Sequence, residues 1–113
     1  MNDDLPTDLM ISAQIRIAAR QGVPIVVTHR GDSSSGSIYL KINLLNGTAH
    51  VLNQVRLEDE RVWVYTLSDT PLDEREADKY LESQIDFDPD LWVIEIEDRQ
   101  GRHWFDGRIL KST

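Results

Sequence analysis

FDPDLWVIEIEDRQGRH, residues 87–103, is the stretch that decides the fold of this chain. Pro89 ends any preceding helix, because it lacks an N–H and moves Asp88 out of the helical region. From residue 91 to residue 97 the side chains alternate between an apolar face and a mixed face, which predicts a β-strand. The apolar face consists of Trp92, Ile94 and Ile96. Such a strand fits an antiparallel sheet that helices cover on one side.

The rest of the chain predicts two helices and five more strands around that strand. Thr7 or Asp8 can cap a first helix that ends near Gly22, and Thr70-Pro71 opens a second helix before the proline turn. The strands are expected at residues 24–29, 37–45, 48–55, 61–67, 91–97 and 102–105. The fold class is therefore α+β: a helix, a four-strand antiparallel meander, a helix and a C-terminal strand pair, with the helices on one face of the sheet.

Turn residues mark where these strands reverse. Asn46-Gly47 is a two-residue hairpin signal, because Gly47 accepts the positive φ of a type I′ turn. Asp98-Arg99-Gln100-Gly101 fits a type I turn with Gly101 in the left-handed region, and GDSSSGS at residues 31–37 indicates a loop. With no linker or repeat in the chain, we expect a single domain over residues 1–113, with residues 1–6 and 111–113 disordered.

The same C-terminal stretch is similar to a known family. F-D-P-D-L-W-V, E-x-E-D-R and G-R-H between residues 87 and 103 resemble the signature of small bacterial proteins named domain of unknown function 1491. Further similarity lies at Ser12-Ala13 with Arg16, at Arg30-Gly31-Asp32 with Gly36, and at Lys41 with Asn43. Gln100 departs from the acidic turn residue of the family. The resemblance implies a single cytoplasmic domain and brings no reaction, ligand or catalytic residue.

Composition excludes several classes of function. The 113 residues include no cysteine, which excludes disulfides, thiolate catalysis and cysteine metal sites, and no apolar run approaches the roughly 20 residues of a membrane span. We therefore expect a cytoplasmic protein without a membrane partner. A net charge of −8 repels phosphate backbones and makes a nucleic-acid partner unlikely. A local basic patch would have to come from Arg16, Arg20, Arg30 and Lys41.

Two patterns could suggest a metal site, and each lacks a feature that such a site requires. Asp86, Asp88, Asp90 and Glu97 match positions 1, 3, 5 and 12 of an EF-hand loop. Position 6 of that loop needs glycine for its sharp turn, and here it is Leu91. The three histidines lie on three different expected strands, and no pair has the spacing of metal ligands. We predict no metal and no cofactor.

The leading functional hypothesis is a non-enzymatic protein-binding or assembly module, because no catalytic motif is present. The alternative is a small enzyme in which carboxylates work with a histidine as acid and base. Its candidate catalytic residues are Asp88, Asp90, Glu95 and His103.

Aromatic residues on the fourth strand provide one candidate partner surface. Trp63 and Tyr65 alternate with Val62 and Val64, so one of the two pairs is expected to face outward. If the tryptophan pair does so, it makes an exposed patch beside Lys41 and Glu95, and exposed aromatics with a basic residue are typical of protein interfaces. Two arginines are further candidates for contact with a partner protein: Arg16 on the first helix and Arg30 directly after the first strand.

The first helix provides the other candidate surface, because it carries two apolar stripes. One stripe contains Leu9, Met10, Ala13 and Ile17, and the other contains Ile11, Ile15, Ala18 and Ala19. A helix on one sheet needs a single stripe. We therefore expect a homodimer or a partner protein that contacts Ile11 and Ile15.

Overall fold

The computed structural model describes residues 5–34 and 36–110, which form two helices and seven strands in one sheet. Helix α1 spans Thr7–Arg20 and α2 spans Glu74–Phe87. The strands are β1 Ile25–His29, β2 Ile38–Asn43, β3 Thr48–Leu57, β4 Glu60–Tyr65, β5 Leu72–Asp73, β6 Trp92–Glu97 and β7 Ile109–Leu110. Most of the segments expected to be disordered, residues 1–4 and 111–113, lie outside the described residues. Neither described helix is long and apolar enough to cross a membrane.

The α+β class is confirmed, but the strand order corrects the expected four-strand meander. The order is β1-β6-β2-β3-β4-β7, and β5 pairs with β3. Only β2, β3 and β4 form a meander, because β6 lies between β1 and β2 and runs parallel to β2. The reason lies in β6 itself: Val93 is buried on one face and Trp92, Ile94 and Ile96 on the other. A strand that is apolar on both faces belongs at the centre of a sheet.

The helices cover opposite faces of the sheet, which corrects the expectation that both lie on one face. Leu40 of β2 pairs with Ile94 of β6 in the core under α1, whereas Tyr39 and Val93 face α2. The core under α1 contains Ile11, Ala18, Val23, Ile25, Ile38, Leu40, Ile42, Leu52, Trp63, Trp92, Ile94, Ile96 and Phe105. The core under α2 contains Ala49, Val51, Leu72, Ala77, Leu81, Leu91 and Val93. Each face of the sheet therefore requires its own helix.

Helix α2 begins later than Thr70-Pro71 indicated. Leu72 and Asp73 pair with Ala49 and Thr48 as the short strand β5, so the backbone is still extended there. The Asp73 carboxylate then accepts a hydrogen bond from the Arg75 N–H at 2.9 Å and caps the helix.

The expected C-terminal strand pair is absent from the described residues. The turn at residues 98–101 does form, since Gly101 has φ 73° and its N–H donates to the Asp98 carbonyl at 3.0 Å. Residues 102–105 do not return along β6, however, because β1 and β2 already occupy both of its edges. The chain instead crosses to β4, where Ile109 and Leu110 pair in parallel with Trp63 and Val64.

The turn at Asn46-Gly47 is wider than the two-residue turn expected. Strand β2 ends at Asn43 and β3 begins at Thr48, and the positive φ angles are at Leu45 (62°) and Gly47 (89°). A type I′ turn would need positive φ at Asn46 as well. The Asn46 side chain instead accepts hydrogen bonds from the N–H and hydroxyl of Thr48.

Candidate functional site

A groove of about 510 Å³ lies between α1 and the hairpin of β3 and β4. One wall is helical and includes Met10, Ala13, Gln14 and Ile17. The opposite wall comes from the hairpin and includes Gln54, Arg56, Asp59 and Arg61. The volume falls within the range of ligand-binding clefts in proteins.

The groove exists because α1 packs against β1, at one side of the sheet. The hairpin of β3 and β4 lies toward the opposite edge of the sheet from β1. Helix α1 therefore leaves the hairpin uncovered on the face of the sheet that it packs against. The residues that follow β6 close the floor instead. Trp63 lies there with 0% exposure, its indole N–H donates to the Asp106 carbonyl at 2.8 Å, and the Phe105 ring lies edge-on to it at 6.2 Å. Gly107 packs so close that a Cβ there would lie 3.1 Å from the Trp63 indole nitrogen.

The lips of the groove are apolar and open to solvent. Ile17 is 49% exposed in the helical wall, and Leu5 is exposed at one end. Leu9 continues the same stripe outside the cavity and is 55% exposed. An amphipathic helix of a globular domain normally turns charged or polar residues toward solvent, so this stripe is unusual for a free surface.

Comparison with known proteins places the whole fold in one family. The model of the family described as protein of unknown function (DUF1491) matches residues 5–106. The chain belongs to this family.

Two solved structures of a DUF1491 family protein from Caulobacter crescentus CB15 are similar to the chain at 34% identity. The crystal structure has a TM-score of 0.83 and covers 94% of this chain and 99% of that one. The NMR structure has a TM-score of 0.80 and covers 96% and 98%. A solution structure from A. tumefaciens, 23% identical with a TM-score of 0.77 over 97% and 99%, shares the fold. Comparison with curated proteins finds no match.

In this DUF1491 protein, the apolar stripe of α1 that is open to solvent is the opposite one from the stripe expected to contact a partner. Ile11 is 2% exposed, and Ile15 is half-buried against the same core. These two residues therefore pack on the sheet of their own chain. The open stripe is the one with Leu9 and Ile17.

The exposed aromatic patch expected on β4 does not form. Trp63 and Val62 are both fully buried, so both faces of the strand are covered. Trp63 also faces the core under α1, whereas Lys41 and Glu95 lie on the α2 side of the sheet. The expectation that one of the two pairs on β4 faces outward is wrong, because it assumed that only one face of the strand was covered.

Lys41 belongs to a charged cluster under α2. Its Nζ donates to the Glu74 carboxylate at 2.8 Å and to the Asp78 carboxylate at 2.7 Å, and lies 3.6 Å from Glu95. Asn43 donates to Glu74 and Glu95, which links the two carboxylates. Burial alone would lower the pKa of Lys41, but the carboxylates outweigh it and raise the pKa above its usual value. With 4% exposure, Lys41 has no surface to offer a partner or a phosphate.

The remaining arginine candidates differ from each other. Arg30 stacks over the Trp92 ring at 5.1 Å and lies 3.5 Å from Asp8, so it supports the packing of the loop onto α1. Arg16 is exposed on α1. Lys41 is buried and Arg30 is held against Trp92 and Asp8, so the basic residues considered for nucleic-acid binding do not form one patch.

The candidate catalytic residues do not converge. Asp88 and Asp90 lie in the turn before β6, whereas His103 lies beyond its other end. A six-residue strand separates the two ends by roughly 20 Å. Glu95 faces α2, and the His103 ring packs on Trp63 on the α1 side, where its Nε2 is 2.8 Å from the Gly107 carbonyl. In the part of the chain that the structure describes, no three His, Asp or Glu side chains form a metal-binding group.

Two features escaped sequence reasoning. Asp98 is buried and accepts hydrogen bonds from the Trp104 indole and from Arg102, both at 2.7 Å. Burial raises the pKa of Asp98, but these bonds and the Gln100 N–H outweigh it and leave the pKa lowered. The groove was missed because its walls come from elements distant in sequence. Of the groove residues, only the Arg56 and Arg61 pair could have been found from the local sequence. If residues 58–59 form a two-residue turn, residues 57 and 60 are partners, and Arg56 lies opposite Arg61.

Proposed function

We propose that this protein is a non-enzymatic binding module that holds an apolar segment of another protein in the groove between α1 and β3–β4. The observation that carries this proposal is the open apolar stripe of α1 along a groove with an aromatic floor. Ile17 in the groove wall and Leu9, which continues the stripe beyond the groove, are about half exposed, while the floor residue Trp63 is fully buried. A patch of this kind gains stability when a partner removes it from water.

The dimensions suit a helical partner segment. The open stripe of α1 runs from residue 9 to residue 17, a length of about 12 Å along the helix. A short amphipathic helix can lay apolar residues at positions i, i+3, i+4 and i+7 along such a length. The absence of cysteine suits a reducing cytoplasm, where we expect the partner to be.

The acid–base alternative has weaker support. Its carboxylates and His103 lie at different ends and on different faces of β6, so no bound substrate could reach them together. The groove itself holds Asp59 and Asp106, but most of the surface that lines it is apolar.

The test is a selection of displayed peptides on the immobilised protein, followed by titration of the enriched peptides by calorimetry. The variants are Ile17→Asp in the groove wall and Leu67→Asp as the matched control. Leu67 is an exposed aliphatic side chain of the same size as Ile17, but it does not line the groove. We expect Ile17→Asp to weaken binding about ten-fold, the effect of losing one apolar anchor, and Leu67→Asp to leave it unchanged.

Equal affinities for the wild type and Ile17→Asp would contradict the proposal. Light scattering tests whether a second copy of the chain occupies the groove instead. A wild-type dimer that Ile17→Asp converts to a folded monomer would assign the groove to a second copy of the chain.

A further inference from the structure

The mouth of the groove carries two arginines in an unfavourable arrangement. Arg56 of β3 and Arg61 of β4 are direct cross-strand partners. They share the face of Gln54 and Trp63, and both side chains line the groove. Like charges directly opposite each other on antiparallel strands destabilise the pair. The fold therefore keeps a local electrostatic cost at this place.

Neighbouring arginines show how the fold treats positive charge elsewhere. Arg108 donates to the two oxygens of Glu60 at 2.9 and 3.2 Å, and Arg102 donates to Asp98 at 2.7 Å. Among the described residues, neither Arg56 nor Arg61 has a carboxylate within ion-pair distance, although Asp59 and Asp106 line the same groove. The two guanidinium groups thus remain available at the groove mouth.

We infer that Arg56 and Arg61 together bind a carboxylate of the occupant, so that the groove takes an apolar segment carrying an aspartate or glutamate beside its apolar anchor. This inference rests on the proposed function and names its partner chemistry. Guanidinium groups match carboxylates with paired hydrogen bonds, and the apolar groove wall excludes part of the competing water. A peptide carboxylate is favoured over nucleic acid because the net charge of −8 repels a polyanion, whereas a single carboxylate experiences mainly the local pair.

The experiment compares two versions of a groove-binding peptide, one with glutamate and one with glutamine at the acidic position. Each is titrated against the wild type, Arg56→Gln/Arg61→Gln and the control Arg75→Gln/Arg99→Gln, which removes the same charge from exposed sites outside the groove. We expect the wild type and the control to prefer the glutamate peptide about five-fold, as for one partly exposed ion pair. The groove double variant should bind both peptides equally.

A second readout separates binding from a structural role and needs no ligand. If the pair serves the occupant, Arg56→Gln alone should raise the thermal midpoint of the free protein, because it relieves the cross-strand repulsion. A lowered midpoint would assign the pair to fold stability and overturn the inference.

The outcomes distinguish failure of the inference from failure of the proposed function. If no enriched peptide is weakened by Ile17→Asp, both fail. If groove-dependent peptides are found but bind regardless of their charge, only the inference fails. A single-stranded oligonucleotide that binds the wild type and is lost with Arg56→Gln/Arg61→Gln would assign the pair to a phosphate, which also overturns it.

Discussion

At the scale of the residue, Lys41 joins three elements through one ammonium group. It lies on β2 and contacts carboxylates from α2 and β6. A lysine in the middle of a sheet would carry a large desolvation cost without them. Because the pKa of Lys41 is raised from 10.5, its stabilising contribution is present below that pH. The contribution is lost as the pH rises through the higher pKa of the folded state.

We predict that Lys41→Met lowers the free energy of unfolding at pH 7 by about 2 kcal/mol, because it leaves three carboxylates close together. The value is smaller than that for a fully buried pair, since Glu74 and Asp78 keep contact with solvent. Urea denaturation measures the change, with the exposed Lys79→Met as control. Adding Glu95→Gln should recover part of the loss, and an unchanged midpoint for Lys41→Met would refute the role of the cluster.

His50 predicts a pH dependence of stability in the mildly acidic range. Its ring lies 5.0 Å from the Tyr65 ring, and among the described residues its buried Nδ1 has no hydrogen-bond partner. Burial lowers the pKa of His50 from 6.5, while Asp69 partly opposes the shift. The unfolded chain therefore takes up the proton first, and stability should fall as the pH drops below about 6.5.

We expect His50→Phe to raise the free energy of unfolding by about 1 kcal/mol, because it removes a buried polar atom without a partner and keeps an aromatic ring beside Tyr65. Thermal melts at pH 7 and pH 5 should also differ less than those of the wild type. His103→Phe is the contrasting variant, since it removes the contact with the Gly107 carbonyl and should destabilise. A His50→Phe protein with an unaltered pH profile would contradict the assignment.

At the scale of the element, the sequence predicted both helices and the five longer strands, but it missed the short strands β5 and β7 and did not show which neighbours the strands take. The two stripes of α1 were visible as a pattern. Their periodicity could not tell which stripe faces the sheet, because Ile11 and Ile17 are equally apolar. The alternation in β6 was also visible, but its second face is buried by α2, a contact between distant segments. Local patterns describe a segment, and its partners depend on the rest of the chain.

The turn at Gly47 allows a prediction that does not depend on its exact type. Gly47 has φ 89°, and a Cβ there would meet nothing within 4 Å, so backbone strain is the only obstacle to a side chain. Gly47→Val should lower the free energy of unfolding by about 1–3 kcal/mol. Gly47→Asn should cost less, because asparagine tolerates positive φ. Equal denaturation midpoints for the wild type and Gly47→Val would mean that this backbone is not strained.

At the scale of the whole molecule, the sheet order was the part least accessible from sequence. Parallel pairing of β2 with β6 joins Leu40 to Ile94 across the intervening hairpins and α2. The candidate groove has the same origin, since it depends on where α1 lies relative to β3 and β4. The composition, the turn residues and the apolar stripes do not determine the pairing of β2 with β6 or the position of α1 relative to β3 and β4.

The central place of β6 predicts how the chain tolerates truncation. A fragment ending at residue 90 lacks β6, which is the sheet partner of β1 and one of the two partners of β2, so we expect it to remain unfolded by circular dichroism. A peptide of residues 88–113 should restore the sheet when added. The control fragment ends at Gly107 and keeps β6 but lacks Arg108 and the edge strand β7, so it should fold with reduced stability. Native-like spectra for the shorter fragment would show that β6 is not required.

The position of β6 also has a consequence for biosynthesis. The ribosome releases β1 long before β6, yet β1 pairs with β6 alone in the described sheet and lacks this neighbour until residues 92–97 emerge. During translation the meander of β2, β3 and β4 can form early. Strand β1 stays unpaired, and its apolar side chains remain exposed until β6 emerges. The nascent chain is thus most exposed to aggregation and to chaperones in the interval before residues 92–97 leave the exit tunnel.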